Sequence, residues 1–531
     1  MQQKLNVAII WHMHQPYYGE PKSGVLSMPW VRLHGTKDYL DMVRILDDFP
    51  KARVTFNLTP VLLEQIEGYA NGTLTDKALI VSRKKAGRLN DKDKELLKDN
   101  FFMANWDTMI KPYPRYWELL SKVQRNDALT KQDWLDLIVW YNLVWIDPIF
   151  IGEDERLAFI RSKGRHFDEQ EKEYVLNCHQ RLIKEIIPTY KRMQDSGTIE
   201  ITTTPYYHPI IPLLCNMESA RVALPGIKLP KRRLIDGHDD ARWHIARAAE
   251  YYEKLFGVRP KGMWPSEGSV SEDLIPIASQ EGFQWFATDE EILFRSLGVS
   301  KSSGILFQPY AVVRRGPHTM AAVFRDRILS DRIGFVYNTW PPQEAVSDLL
   351  THLRNIKGYL KEKTSSSLVT IILDGENAWE YYPNDGKDFL VALYQRLSDD
   401  EDIQTVRISD FLEAHPPVQN ISHLFAGSWI YGNFATWIGH RQKNLAWKYL
   451  VDVRELLREA QRGSSGDTKE LKEAWQELMI AEGSDWFWWY GDDHSASTDA
   501  EFDRLFRTRL AKIYRLIDKK APPALRRPIK R

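Results

Sequence analysis

Leu368-Val369-Thr370-Ile371-Ile372-Leu373 is a short apolar run that stops abruptly on Asp374-Gly375-Glu376. A continuous apolar run of this length, bounded by turn residues, reads as a strand buried on both faces. The same pattern occurs six times upstream. Residues 6–11 stop at His12-Met13-His14, 53–56 at Asn57, and 199–203 run into Pro205-Tyr206-Tyr207-His208. Residues 262–264 stop at Pro265-Ser266-Glu267, 283–287 at Thr288-Asp289, and 321–324 at Arg325-Asp326. Helical patterns lie between most of them. Tyr39, Met42, Val43 and Leu46 give 38–49 the spacing of one helix face, and 239–255 and 342–359 also read as helices. Strand–helix alternation predicts a parallel α/β sheet. An open doubly wound sheet would gather its polar groups at one switch point. Here every strand ends in chemically capable residues, which predicts a barrel with its site at the C-terminal strand ends.

The remainder of the chain arranges itself around those seven runs. At about 150 residues per domain, 531 residues make roughly three domains' worth of chain. About 140 residues separate the second and third runs, and most of 78–195 reads as helix. After Pro416-Pro417 the pattern changes to helices at 437–462, 468–482 and 502–517, with Gly463-Ser464-Ser465-Gly466 as a short flexible joint. The expected division is a catalytic barrel over 1–417, containing the insertion, and a C-terminal helical domain over 418–531 that contributes aromatic loops to the site. The basic, Pro-rich tail 522–531 reads as a frayed end.

Composition narrows the function. Lys+Arg and Asp+Glu balance at 72 each, which gives no support to a nucleic-acid or polybasic membrane partner. Two cysteines, Cys178 and Cys215, exclude a disulfide scaffold and a zinc–thiolate cluster. Only four apolar residues, Val7 to Ile10, precede Trp11-His12, too few for a secretory core, and no window of about 20 apolar residues exists. A soluble, cytoplasmic protein is expected. Nineteen Trp, with 23 Tyr and 21 Phe, exceed what a core needs, because a buried indole must place its N–H.

Two strand-end carboxylates, Glu267 and Asp374, would point into the same barrel mouth. A facing pair is the minimum equipment for glycoside hydrolysis. Either residue alone could equally cap a helix or sit in an Asp-Gly turn. On a strand, His12 and His14 face the same way and Met13 the other. The pair could ligate a metal, with His208 or Asp289 as a third donor, or hydrogen-bond a polar substrate. Aromatics cluster at Trp11, Tyr17, Tyr18 and Trp30, at Trp379, Tyr381 and Tyr382, at Trp429, Tyr431 and Trp437, and at Trp486-Phe487-Trp488-Trp489-Tyr490. The last two groups fit neither a helix stripe nor strand alternation. They read as sugar-stacking platforms, with core packing as the competing reading.

These motifs resemble glycoside hydrolase family 57. The resemblance is carried by His12-Met13-His14-Gln15-Pro16, by Thr202-Thr203-Thr204-Pro205-Tyr206-Tyr207-His208-Pro209, by Trp264-Pro265-Ser266-Glu267, by Asp374-Gly375-Glu376-Asn377-Ala378-Trp379 and by 486–494. Trp429-Ile430-Tyr431-Gly432-Asn433-Phe434 with Trp437-Ile438-Gly439 points to its α-amylase/amylopullulanase-like branch. The resemblance implies an α/β fold, an incomplete (β/α)7 barrel with a following helical domain. It also implies retaining double displacement on α-glucans, with Glu267 as nucleophile and Asp374 as general acid/base. His12, His14, His208 and Trp264 are then expected to bind substrate, and Asp289, Arg325, Glu376, Trp379, Trp429, Trp486, Trp488 and Asp493 are further candidates.

Glu267 must be ionised and Asp374 protonated, so the pKa of Asp374 is expected to be raised by burial and by Glu267. Retention predicts carboxyl groups about 5–5.5 Å apart. In some members, transferases among them, a Phe-Gly turn follows the acid/base. Asn377-Ala378-Trp379-Glu380 stands here and favours hydrolysis. The first expectation is therefore an amylase- or amylopullulanase-like hydrolase. The second is a 4-α-glucanotransferase or branching enzyme. A metal-dependent α-mannosidase or polysaccharide deacetylase built on the His-x-His pair is the reading of another class. No metal or cofactor is expected, and the substrate is expected to be an α-glucan or maltooligosaccharide.

Overall fold

The computed structural model describes residues 3–20, 23–301, 303–313, 318–463 and 468–530. Seven strands carry the expected runs: β1 (Leu5–Met13), β2 (Val54–Leu58), β3 (Ile199–Thr202), β4 (Gly262–Met263), β5 (Trp285–Asp289), β6 (Thr319–Arg325) and β7 (Leu368–Asp374). All of their pairings are parallel. β1 lies between β7 and β2, and β3 pairs with β2. β4 pairs with β5, and β5 with β6. The ring closes through two thin contacts, a single bridge from Thr203 to Met263 and one paired position between Thr370 and Arg325. The result is the nearly closed seven-stranded barrel that the seven runs predicted.

Strand alternation separates two environments and places the site. On β1, Val7, Ile9, Trp11 and Met13 join the large core under the helices, whereas Ala8 and Ile10 join a smaller cluster inside the barrel. Trp285 and Ala287 of β5, Val323 of β6, and Leu368 and Ile372 of β7 share that inner cluster. Two residues further along each inward-facing row stand His12, Asp289, Arg325 and Asp374. Period-2 geometry thus delivers four candidate residues to the mouth, each as the continuation of an apolar row. Ile408 and Phe411, on the helix Ile408–Ala414, join the same inner cluster.

Three further strands, not expected from the sequence, join this sheet. Tyr310–Val313 pairs antiparallel with β6, Ile403–Thr405 runs parallel beside β1, and Gln419–Ile421 pairs with Tyr310–Val313. They are only three or four residues long, too short for a clear period.

The insertion is helical, as expected. Its longest helix, α1 (Glu169–Asp195), is opened by a capping box at Asp168 and packs on the helix Pro60–Asn71. After the barrel come α2 (Arg441–Gly463), α3 (Lys469–Ala481), the short α4 (Ser484–Trp488) and α5 (Asp499–Leu516). The expected joint at 463–466 falls almost wholly outside the described residues. The tail is not frayed. Leu525 and Ile529 are buried, and the Lys530 ammonium donates to the carbonyls of Trp489 and His494. Its two apolar residues supply the docking that the basic composition hid. No helix among the described residues is long and apolar enough to cross a membrane.

Candidate active site

His12 stands in register with Asp374 on the neighbouring strand. The Gly375 amide donates to the His12 carbonyl (2.8 Å), and a Cβ on Gly375 would sit 2.3 Å from the Met13 sulfur. A side chain at 375 would have to displace the end of the Met13 side chain. Asn57 at the end of β2 gives its amide N–H to Thr202 Oγ1 (3.0 Å) and turns its carbonyl oxygen to His12 Nδ1 (2.7 Å). The proton therefore sits on Nδ1, and His12 Nε2 is left as an acceptor. Burial, with His14 beside it, pulls the His12 pKa down to about 3, so the ring is neutral.

His14, His12 and His208 form a stack. The rings of His14 and His208 lie 3.8 Å apart at 19°, and His12 is 5.5 Å from His208 at 21°. His208 occupies a left-handed conformation (φ 59°), costly for a non-glycine residue, and its Nδ1 meets Ser484 Oγ at 2.9 Å. Its Nε2 is buried without a partner, and burial among the other two rings holds its pKa well below the usual value. His14 Nε2 lies 2.9 Å from Asp485 Oδ1. Ser484 and Asp485 both belong to α4, so the C-terminal helices reach the barrel mouth directly.

Donor atoms of His14, His208 and Asp485 lie within 4.8 Å of one another, the described group best able to hold a metal. A metal must lie near the plane of each imidazole that ligates it. Two nearly parallel rings 3.8 Å apart send their lone pairs side by side rather than to one point. The arrangement suits hydrogen bonding better than coordination.

Glu267 lies on a tight turn after β4, also left-handed (φ 57°). The Trp429 indole donates to Glu267 Oε2 (2.9 Å), and the Trp429 amide to the Glu267 carbonyl (3.1 Å). Trp429 stands edge-on to Trp264 (5.2 Å) and under the Arg325 guanidinium (5.4 Å). Burial, reinforced by the charges of Asp374 and Asp485 and opposed by the indole N–H, pushes the Glu267 pKa up to about 8. Burial also raises Asp374, but Asn377, which donates to Oδ2 at 3.0 Å, and the His14 and Arg325 charges pull it back. Asp374 is raised by burial as expected. Glu267, expected to be ionised, is itself raised to about 8.

The other candidates divide. Asp289 and Arg325 belong to the mouth's framework. Asp289 is fully buried, pairs with Arg325 (3.5 Å) and Arg327 (2.5 Å) and accepts the Glu291 amide, and Arg325 Nε donates to the Ile372 carbonyl. Glu376 is buried behind the histidines, where Oε1 accepts the His14 amide (3.1 Å) and the Tyr39 hydroxyl (3.2 Å) and Oε2 has no partner. It braces the His14 segment. Trp379 and Trp486 are core residues, which corrects the expectation that they line a sugar site. Trp379 donates to the Gly375 carbonyl (2.8 Å) and packs on Trp11, whereas Trp486 donates to the Ile480 carbonyl (2.7 Å) among Phe502 and Phe506. The aromatic run around 486 is short helix, so consecutive rings point both inward and outward. Trp488 is half-buried and stacks on His494 (4.1 Å), and Asp493 pairs with Lys443 beside a cavity of about 590 Å³ lined by Ile227, Ile438 and His440.

Sequence reasoning missed Asn57, Thr204 (whose Oγ1 lies 2.9 Å from Asn57 Oδ1), Ser484 and Asp485. Asn57 and Thr204 carried a usable signal, their position at strand ends. Ser484 and Asp485 carried none.

The profile of glycosyl hydrolase family 57 matches residues 8–423. The chain belongs to this family. Among curated proteins it is similar to the 1,4-alpha-glucan branching enzyme of Thermococcus kodakarensis, 29% identical over 113 residues. That match covers 20% of this chain and 14% of the length of that relative. Among solved structures, the branching enzyme of Pyrococcus horikoshii has a TM-score of 0.60 at 15% identity, covering 99% of this chain and 97% of the other. That of Thermococcus kodakaraensis, solved with glucose, scores 0.59 at 16% identity and covers 96% and 90%. The alpha-amylase AmyC of Thermotoga maritima scores 0.58 at 15% identity and covers 98% and 93%. At these identities the structural likeness establishes the shared fold.

Proposed function

We propose that this member of family 57 acts on α-glucans by retaining double displacement and passes the glycosyl group to a sugar hydroxyl, as a branching enzyme or 4-α-glucanotransferase. The observation that carries the carboxylate mechanism is the placement of half-buried Glu267 and Asp374 in the barrel mouth, with Asp374 close enough to raise Glu267 electrostatically. Glu267 attacks the anomeric carbon as the glycosidic C–O bond breaks, and Asp374 gives its proton to the leaving oxygen. Asp374 then takes the proton of the acceptor hydroxyl, whose oxygen displaces Glu267. The free His12 Nε2 and His208 Nε2 accept substrate hydroxyls, and Trp429, backed by buried Trp264, supplies an apolar face beside Glu267.

Two points support transfer over the hydrolysis favoured by the acid/base loop sequence. The likeness to known proteins includes two branching enzymes and a 4-alpha-glucanotransferase. The C-terminal helices also close over the mouth through Ser484 and Asp485, which favours exclusion of water. In this reading residues 1–417 form the catalytic unit and 418–531 the helical domain that completes it. Incubation with amylose separates the outcomes. Transfer shifts the iodine colour and forms new α-1,6 or rearranged α-1,4 linkages without a matching gain in reducing ends. A stoichiometric gain in reducing ends would establish hydrolysis instead.

A further inference from the structure

Two π-helical turns occur among the described residues, Trp106–Ile110 in the insertion and Arg332–Val336 after β6. Each presents an aromatic ring to solvent, Trp106 at 44% exposure and Phe335 at 77%. Both turns are fastened to the same segment. Thr108 Oγ1 donates to the Glu380 carbonyl (2.5 Å), and the Tyr382 hydroxyl donates to the Ile333 carbonyl (2.6 Å). Between these anchors lies Tyr381, 59% exposed, in the segment that begins at Asp374. Trp340 (37% exposed) adds a fourth ring, braced edge-on against buried Tyr337 at 5.5 Å.

Single exposed aromatics are ordinary, but three rings on three segments, Trp106, Phe335 and Tyr381, each within two residues of the ties that join those segments, are not, and Trp340 lies further along the second segment. π-Turns are uncommon and concentrate at functional sites. We propose that Trp106, Phe335, Trp340 and Tyr381 form an outer platform that holds the distal residues of a glucan chain whose reacting end lies at Asp374. The platform rests on the glucan reading above. Three features select a neutral polysaccharide rather than a protein as occupant. The patch is built of aromatic faces, which stack on the C–H faces of sugar rings. Backbone-directed hydrogen bonds hold its turns, so little ordering entropy is lost on binding. It also includes Tyr381, seven residues beyond Asp374 on the segment that carries the acid/base.

The test compares wild-type protein with Phe335→Ala/Tyr381→Ala, both exposed positions away from the catalytic groups. KM is measured on short maltooligosaccharides and on long-chain amylose, and mobility is measured in native gels containing amylose. Loss of one stacking ring is expected to cost roughly threefold to tenfold in affinity. The double variant should therefore raise KM for amylose by about tenfold or more, leave the constants for short substrates unchanged, and migrate faster than wild type in amylose gels. Unchanged KM for amylose and unchanged retardation, in a protein whose wild type is active and retarded, would overturn the platform alone. Reduced self-association on sedimentation without any change in glucan affinity would also overturn it, by making the patch a protein contact. A wild-type protein that neither converts nor is retarded by any α-glucan would sink the proposed function itself.

Discussion

Replacing Trp429 by Phe removes the N–H donor from Glu267 while retaining an aromatic ring at that position. The lost bond is an N–H donated to a carboxylate at 2.9 Å. Such a bond to a charged acceptor is worth about 1.5–3 kcal/mol, or roughly 1–2 pH units. The donor stabilises the ionised form, so its removal raises the Glu267 pKa above about 8. Both carboxyls are raised, Glu267 to about 8. The productive arrangement, Glu267 ionised and Asp374 protonated, is one of two isomers of a singly protonated pair, and the limbs of the pH profile belong to the pair. Two effects follow from the same 1–2 units. The alkaline limb of kcat/KM moves up by about 1–2 pH units, and the plateau falls by about 10- to 100-fold. The acid limb, set by Asp374, stays in place. The assay is kcat/KM on an activated maltooligosaccharide from pH 4 to 10. A profile with both limbs unmoved and only KM raised would show that Trp429 is a sugar contact that does not tune the nucleophile. A downward shift of the alkaline limb would refute the assignment of protons altogether.

Four further outcomes are expected. Glu267→Ala and Asp374→Ala should each lower turnover by several orders of magnitude while unfolding stays cooperative in urea, and normal turnover in either would end its catalytic role. The Glu267 pKa is raised, from 4.5 to about 8. The folded protein therefore binds that proton more tightly than the unfolded chain, and this group's contribution to stability is lost as pH rises through that window. Glu267→Gln should accordingly unfold at higher urea than wild type at pH 8.5 by a margin that shrinks at pH 5, and a pH-independent difference would contradict the burial argument. Asp485→Asn should lower kcat/KM by about tenfold or more, on the scale of a lost charge-assisted hydrogen bond. The near-ultraviolet spectrum should be retained, since the Ser484 amide still donates to the His208 carbonyl at 2.9 Å. Dialysis against a chelator should leave activity unchanged within about twofold, because stacked imidazole planes do not converge on a metal. Loss restored by zinc would revive the metal reading.

How much of this was legible in the sequence follows from where each residue's environment is decided. A strand's alternation is local, so the inward row Ala8, Ile10, His12 could be read once the barrel was recognised. The same rule reaches Asp374 and Arg325. The fate of an indole depends on which helix face is later covered, and that is not local. Trp379 and Trp429 look alike in the sequence, yet one is sealed under Trp11 and the other hydrogen-bonds Glu267. Asp485 was illegible for the same reason, since its partner is 471 residues away. The tail misled because its basic residues mask Leu525 and Ile529.

The reach of α4 into the barrel has a consequence for how the enzyme is made. A chain on the ribosome displays the entire barrel, both carboxyl groups included, well before Ser484 and Asp485 emerge. At about 5–20 residues per second, an interval of several seconds passes between completion of β7 and arrival of α4. During that interval His14 and His208 lack their partners, and the mouth is open to water. Nascent and prematurely terminated chains therefore carry a barrel mouth without the two hydrogen bonds that α4 makes to His14 and His208.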